Sequence, residues 1–138
     1  MLCYLSWFPV VLSLFVCELA EILTQLFMDL KFRVEVHNDL TIENLERLLL
    51  TMSDIDHSDF DAFVCCLLTH GKLGVLYTSD AKPVRILDIV EYFDDIHCES
   101  LRGKPKMFFI QACLTGESNE HSDHTVGIFC LESTILPA

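Results

Sequence analysis

The chain is 138 residues long and 51% hydrophobic, which fits one compact domain with a sizeable core. Its formal net charge is -12, and its nine Lys and Arg are scattered, so the surface repels phosphate backbones and argues against nucleic-acid binding. The seven Cys are odd in number and form neither a C-x-x-C pair nor a tight Cys/His cluster suited to zinc, so they read as reduced thiols of a cytoplasmic protein that needs no metal or cofactor.

Leu2 to Cys17 is nearly all apolar, broken by Ser6, Pro9 and Ser13. It has the length of a signal peptide but no Lys or Arg in front, and it is short for a membrane span. A buried segment is expected, with targeting or anchoring left open. Residues 1–17 are therefore set apart from a domain at 18–138. From Glu18 the chain becomes periodic: Leu19, Ile22, Leu23, Leu26, Phe27 and Leu30 recur at helical spacing.

Lys31 to His37 alternates, with Phe32, Val34 and Val36 on one side, which predicts a half-exposed strand. After a turn at Asn38-Asp39, Thr41 is placed as a helix N-cap. Glu43 suits the positive end of the helix dipole, and Leu40 and Leu45 are spaced as a hydrophobic staple. Ile42, Leu45, Leu48, Leu49 and Met52 form that helix's apolar face. Ser53 to Asp59 is an acidic connection. Asp54, Asp56, Asp59 and Asp61 lack the glycine and terminal Glu of a calcium loop and read as solvated.

Ala62 to Leu68 is an unbroken apolar run, the pattern of a central strand buried on both faces. Gly71 and Gly74 are expected to break the chain. Val75 to Tyr77 suits a short ribbon strand. Ile86, Ile89, Val90 and Phe93 give a further helix face, and Met107 to Ala112 is a second apolar run of strand length. Strands alternating with helices imply a mostly parallel sheet with helices on both faces. Open sheets of this kind carry their sites beyond the carboxyl ends of the strands. His70 and Cys113 each follow such an end, so a thiol and an imidazole are expected on one rim. An imidazole can take a thiol's proton to make the nucleophilic thiolate and later protonate a leaving amine. Gly71, without a Cβ, can bring its N–H close to a developing oxyanion, and the Cys113 N–H can supply a second donor.

Two segments make this specific. Phe109-Ile110-Gln111-Ala112-Cys113 resembles the nucleophile motif of caspases, and Asp61 to Gly71 resembles the family's segment ending in its catalytic His-Gly, 43 residues upstream. Ser100 to Lys106 is similar to the loop before the nucleophile strand. The resemblance covers roughly Glu18 to Gly116. It implies a caspase-like three-layer α/β/α fold, truncated to the large-subunit core, with a short linker-like tail. It implies Cys113 as nucleophile, His70 as base, Gly71 and Cys113 as oxyanion donors, and Gln111 lining the pocket for a substrate aspartate. The implied activity is a cysteine endopeptidase cutting after Asp in apoptosis or related proteolytic signalling. The implied partners are protein substrates and a caspase small subunit or another caspase chain.

The sequence also departs from the motif. Met1 to Cys17 holds no arginine where the resemblance would place one for the aspartate pocket. Leu114-Thr115-Gly116 sets the glycine one place late. Only 25 residues follow Cys113, so the small subunit is expected to be absent from this chain. These departures support an alternative: a catalytically impaired regulator that pairs with a full-length caspase. Glu120-His121-Ser122-Asp123 resembles a processing site at Asp123, although a polar surface loop is the favoured reading.

Overall fold

The computed structural model describes residues 2–7, 14–72, 74–114 and 124–131, with side chains from 18 to 72 and from 74 to 111. The chain runs β1 (Leu2–Trp7), α1 (Leu14–Asp29), β2 (Arg33–Asn38), α2 (Ile42–Asp54), β3 (Phe63–Lys72), β4 (Val75–Tyr77), β5 (Pro83–Arg85), α3 (Ile86–Glu91), β6 (Lys106–Leu114) and β7 (His124–Leu131). A single 3-10 turn, Glu99–Leu101, precedes β6.

These strands form one seven-stranded sheet. Its centre is parallel: β2 pairs with β1, β1 with β3, and β3 with β6. The short β4–β5 ribbon joins the end of β3 antiparallel at Gly71 and Lys72. On the far side, β7 runs antiparallel along β6. This is the mixed α/β architecture expected, but three of the six strand pairings are antiparallel, and β1, β5 and β7 are not among the strands that the sequence pattern indicates. Leu2–Trp7 enters the sheet between β2 and β3. A strand paired on both edges lies inside the sheet, and an almost wholly apolar stretch carries no alternation to read.

The two-residue period of the strands sorts their side chains into two cores. Phe63, Cys65 and Leu67 of β3 and Phe108 and Ile110 of β6 face α2 and α3, where they meet Leu45, Leu49, Met52, Ile89 and Phe93. Val64 and Cys66 face the other way, with Met107 and Phe109, and meet Phe27 and Leu23 of α1. The fold is thus three layers, α1 on one face and α2 with α3 on the other.

The apolar face of α1 is narrower than its periodicity implied. Ala20 and Phe27 are buried and Leu23 partly so, while Ile22, Leu26 and Leu30 stand exposed. The helix closes on Lys31, which adopts φ 69°. The Lys31 N–H donates to the Met28 carbonyl, the Phe32 N–H donates to the Phe27 carbonyl, and the two rings pack edge to face at 5.2 Å. This is the Schellman closure with its hydrophobic contact, but with a non-glycine residue in the left-handed position. A side chain there is strained by about 1 kcal/mol. Lys31→Gly is accordingly expected to raise the chain's stability by about that amount, read as a higher urea midpoint.

Helix α2 begins as the sequence indicated. The Thr41 hydroxyl accepts from the Asn44 N–H at 3.3 Å, and Leu40 packs on the cluster that holds Leu45. A second group completes this end from 38 residues away. Asp80, in the β4–β5 turn, accepts from the Ile42 N–H at 3.0 Å. The Thr78 hydroxyl first, then the Ile42 N–H, outweigh desolvation and hold the Asp80 carboxyl below its ordinary value of 3.8. A carboxyl depressed in the folded state contributes stability that is complete above its unfolded value and fades as pH falls below it. Wild type should therefore lose more stability between pH 5 and about pH 3 than Asp80→Asn does, as measured by urea unfolding at each pH.

The acidic connection between α2 and β3 is tied down rather than loose. His57 is fully buried, with Nε2 2.7 Å from the Met52 carbonyl and its ring edge-on to Phe63. Its N–H donates to Ser100 Oγ, and Lys104 Nζ donates to its carbonyl at 2.8 Å. Lys106, the first residue of β6, is buried and pairs with Asp95 at 2.6 Å. These bonds anchor the approach to β6 against the approach to β3, and so bring the two strands into parallel register.

Candidate active site

That register runs unbroken from Phe63↔Lys106 to Gly71↔Leu114. Within it, His70 is the cross-strand partner of Cys113, Leu68 that of Gln111, and Gly71 that of Leu114. Parity fixes the face. Val64 and Cys66 of β3 and Met107 and Phe109 of β6 lie on the α1 side. Positions 70, 111 and 113 fall on that side by the two-residue period. Neighbouring strands lie about 4.8 Å apart, so the backbone sets an imidazole-bearing and a thiol-bearing position side by side.

The sequence placed His70 and Cys113 just beyond their strands. Both lie within them, because β3 continues to Lys72 and β6 to Leu114. Gly71 does not break the chain either. It stays in β3, buried, paired with Leu114 on one edge and Leu76 on the other. The actual turn comes at Gly74, with φ 74°. The overhang of β3 beyond β1 exists because β4 takes over its free edge after Leu68. Thr69 reinforces that handover: its hydroxyl donates to the Tyr77 carbonyl at 2.7 Å.

Gln111 is half-buried, and among the described residues its Oε1 is buried without a hydrogen-bond partner. A buried, unpaired amide oxygen is costly, and a bound N–H donor would relieve it. The other described thiols are of a different kind. Cys65, Cys66 and Cys98 are free and buried. Burial pushes the Cys65 thiol far up, with Cys66 adding to the shift, and burial likewise raises Cys98 against the Ser100 hydrogen bond. Such thiols are packing groups, not nucleophiles.

Thr115, Gly116 and the Glu120-His121-Ser122-Asp123 segment lie outside the described residues, as do the side chains of Met1 to Cys17. Among the described residues no cluster of His, Cys, Asp and Glu is arranged to hold a metal, and no helix is long and apolar enough to cross a membrane. One position escaped the sequence reading. The sequence implies a linker-like tail here, yet β7 pairs with β6 over eight positions, with His124 as the cross-strand partner of Cys113. Its run of Thr, Val, Ile and Phe was the available signal.

A family model described as "Caspase domain" matches residues 20–129. Among curated proteins, the chain is 42% identical to caspase-8 of Mus musculus over 93 residues, which is 67% of this chain and 19% of that protein. It is 43% identical to caspase-10 of Homo sapiens over 95 residues, 68% of this chain and 18% of that protein. It is 41% identical to caspase-3 of Bos taurus over 91 residues, 66% of this chain and 33% of that protein. The chain thus spans between about a fifth and a third of the length of these relatives.

Proposed function

Because this chain belongs to the caspase family, we propose that it is the nucleophile-bearing part of a cysteine endopeptidase that hydrolyses peptide bonds after aspartate. The observation that carries the reading is the pairing of His70 with Cys113 at matched register on one face of the sheet. His70 takes the Cys113 proton, and the thiolate attacks the scissile carbonyl carbon. The N–H groups of Gly71 and Cys113 receive the oxyanion. The imidazolium then returns its proton to the departing amine, and water, deprotonated by the same imidazole, hydrolyses the thioester. The unpartnered Gln111 Oε1 suits a substrate N–H at the aspartate pocket.

The pocket's cation comes from a partner in this reading, a caspase small subunit or another caspase chain. A substrate aspartate buried without a cation loses several kcal/mol, or about a thousandfold in rate. The isolated chain is therefore weak and the completed one active. The same shortfall favours a second role, in which the chain regulates a full-length caspase by occupying it. The free, buried Cys65, Cys66 and Cys98 suit a reducing, cytoplasmic setting, and the caspase family suits a part in apoptotic signalling.

The test is covalent capture. The purified chain, alone and with a caspase small subunit added, is incubated with an aspartate-based irreversible inhibitor, and intact mass is measured. An adduct on Cys113 is expected, formed faster with the small subunit present. No adduct under either condition would overturn the reading.

A further inference from the structure

Cys113 has two cross-strand neighbours, and both are histidines. His70 of β3 is its partner on one edge and His124 of β7 on the other. Residues directly opposite each other in an antiparallel pair share a face, with Cβ atoms about 4.5–5.5 Å apart. The three positions therefore form a row, 70–113–124, across three adjacent strands on the α1 side of the sheet. This row is not a property of either nucleophile segment. It depends on β7 folding back along β6 with the register Cys113↔His124 and Lys106↔Leu131.

We propose that His124 is a second imidazole partner of the Cys113 thiol, acting as a positive charge that holds the thiol ionised after His70 has taken its proton. The inference rests on Cys113 being the nucleophile. With one imidazolium the thiolate is opposed by a single charge, and a second protonated imidazole on the opposite edge lowers the cost of ionising the sulfur further. Among the described residues, the other charged groups on this face are exposed. Lys72, two positions past His70, lies over the Tyr77 ring at 5.9 Å. Glu18, Glu21 and Asp29 of α1, the helix covering this face, are exposed. The remaining described position on β6 toward the site is the neutral Gln111.

An opposite charge at this range lowers a thiol's pKa by about one unit or more. The experiment follows iodoacetamide incorporation at Cys113 in the full chain by peptide-resolved mass spectrometry from pH 5.5 to 9. His124→Gln is expected to raise the midpoint by about one unit, so that labelling at pH 6.5 slows about tenfold. His124→Lys, which keeps the charge, should hold the wild-type midpoint, a rescue that a merely structural role would not produce. His124→Asn is read beside them so that one misfolded variant does not remove the measurement. If His124→Gln and His124→Asn superimpose on wild type while His70→Gln shifts the profile, the second imidazole is refuted and the protease reading stands. If Cys113 titrates near the ordinary thiol value of about 8.5 in every variant, both fall.

Discussion

Cys113→Ala is expected to abolish covalent capture by an aspartate-based inhibitor, and His70→Gln to slow peptide hydrolysis by the chain completed with a small subunit by about a thousandfold. The first result follows from the thiols left behind. Among the described residues Cys65, Cys66 and Cys98 are buried, and burial raises the Cys65 and Cys98 thiols above their ordinary value, so none of these three can substitute. The second follows from the two tasks of an imidazole beside a thiol. At pH 7 a free thiol with a pKa near 8.5 is about 3% ionised, so losing the base costs simple alkylation only about thirtyfold. Hydrolysis also loses the proton donor for the departing amine, and general acid-base catalysis contributes about 10²–10⁴-fold. The two assays should therefore separate: alkylation of Cys113 falls modestly while hydrolysis collapses. Equal losses in both would mean that His70 acts on the thiol alone.

Phe63→Ala should destabilise the chain by about 3–5 kcal/mol, a large part of the ~5–15 kcal/mol that holds a domain folded. Phe63 is fully buried at the start of β3 and stacks on Phe93 with ring centroids 4.4 Å apart. It also meets Phe108 of β6 at 6.0 Å and the His57 ring at 6.1 Å. Truncation would open a cavity shared by α2, α3 and both strands of the candidate site, with rigid aromatic neighbours that cannot collapse into it. Urea unfolding followed by circular dichroism would report the loss. Phe63→Leu should retain more than half of it. Leu87→Ser, at a side chain 73% exposed, should stay within about 0.5 kcal/mol of wild type.

Much of this architecture was legible in the residues. Thr41 named the start of α2 because a hydroxyl before an apolar-periodic run has one favourable use, and the unbroken run at Ala62 to Leu68 named a buried strand. Periodicity is silent where both faces are apolar, and so Leu2–Trp7 went unrecognised as a strand although it lies next to the centre of the sheet. The start of α1 at Leu14 was hidden in the same apolar stretch. At the candidate site, the residue types and motif order pointed to His70 and Cys113, but not to their placement inside the strands. That placement depends on the β3–β4 hairpin at Gly74 extending β3 past Leu68, and on β6 pairing along β3 as far as Gly71, a long-range event with no local signal. Asp80 at the head of α2 and His124 beside Cys113 are likewise products of tertiary pairing alone.

The insertion of β1 between β2 and β3 also sets an order of events. Leu2 pairs with Arg33 on one edge and with Phe63 on the other, 61 residues further along the chain. As the polypeptide leaves the ribosome, β1 emerges before either of its neighbours and must wait through two helices and β2 for the second. Until β3 is made, that edge stands open, with a row of unpaired backbone groups flanked by hydrophobic side chains. Pairings so distant in sequence are slow to close, which lengthens the exposure. The interval before Phe63 is made is thus the stage at which this edge is open to pairing with another chain.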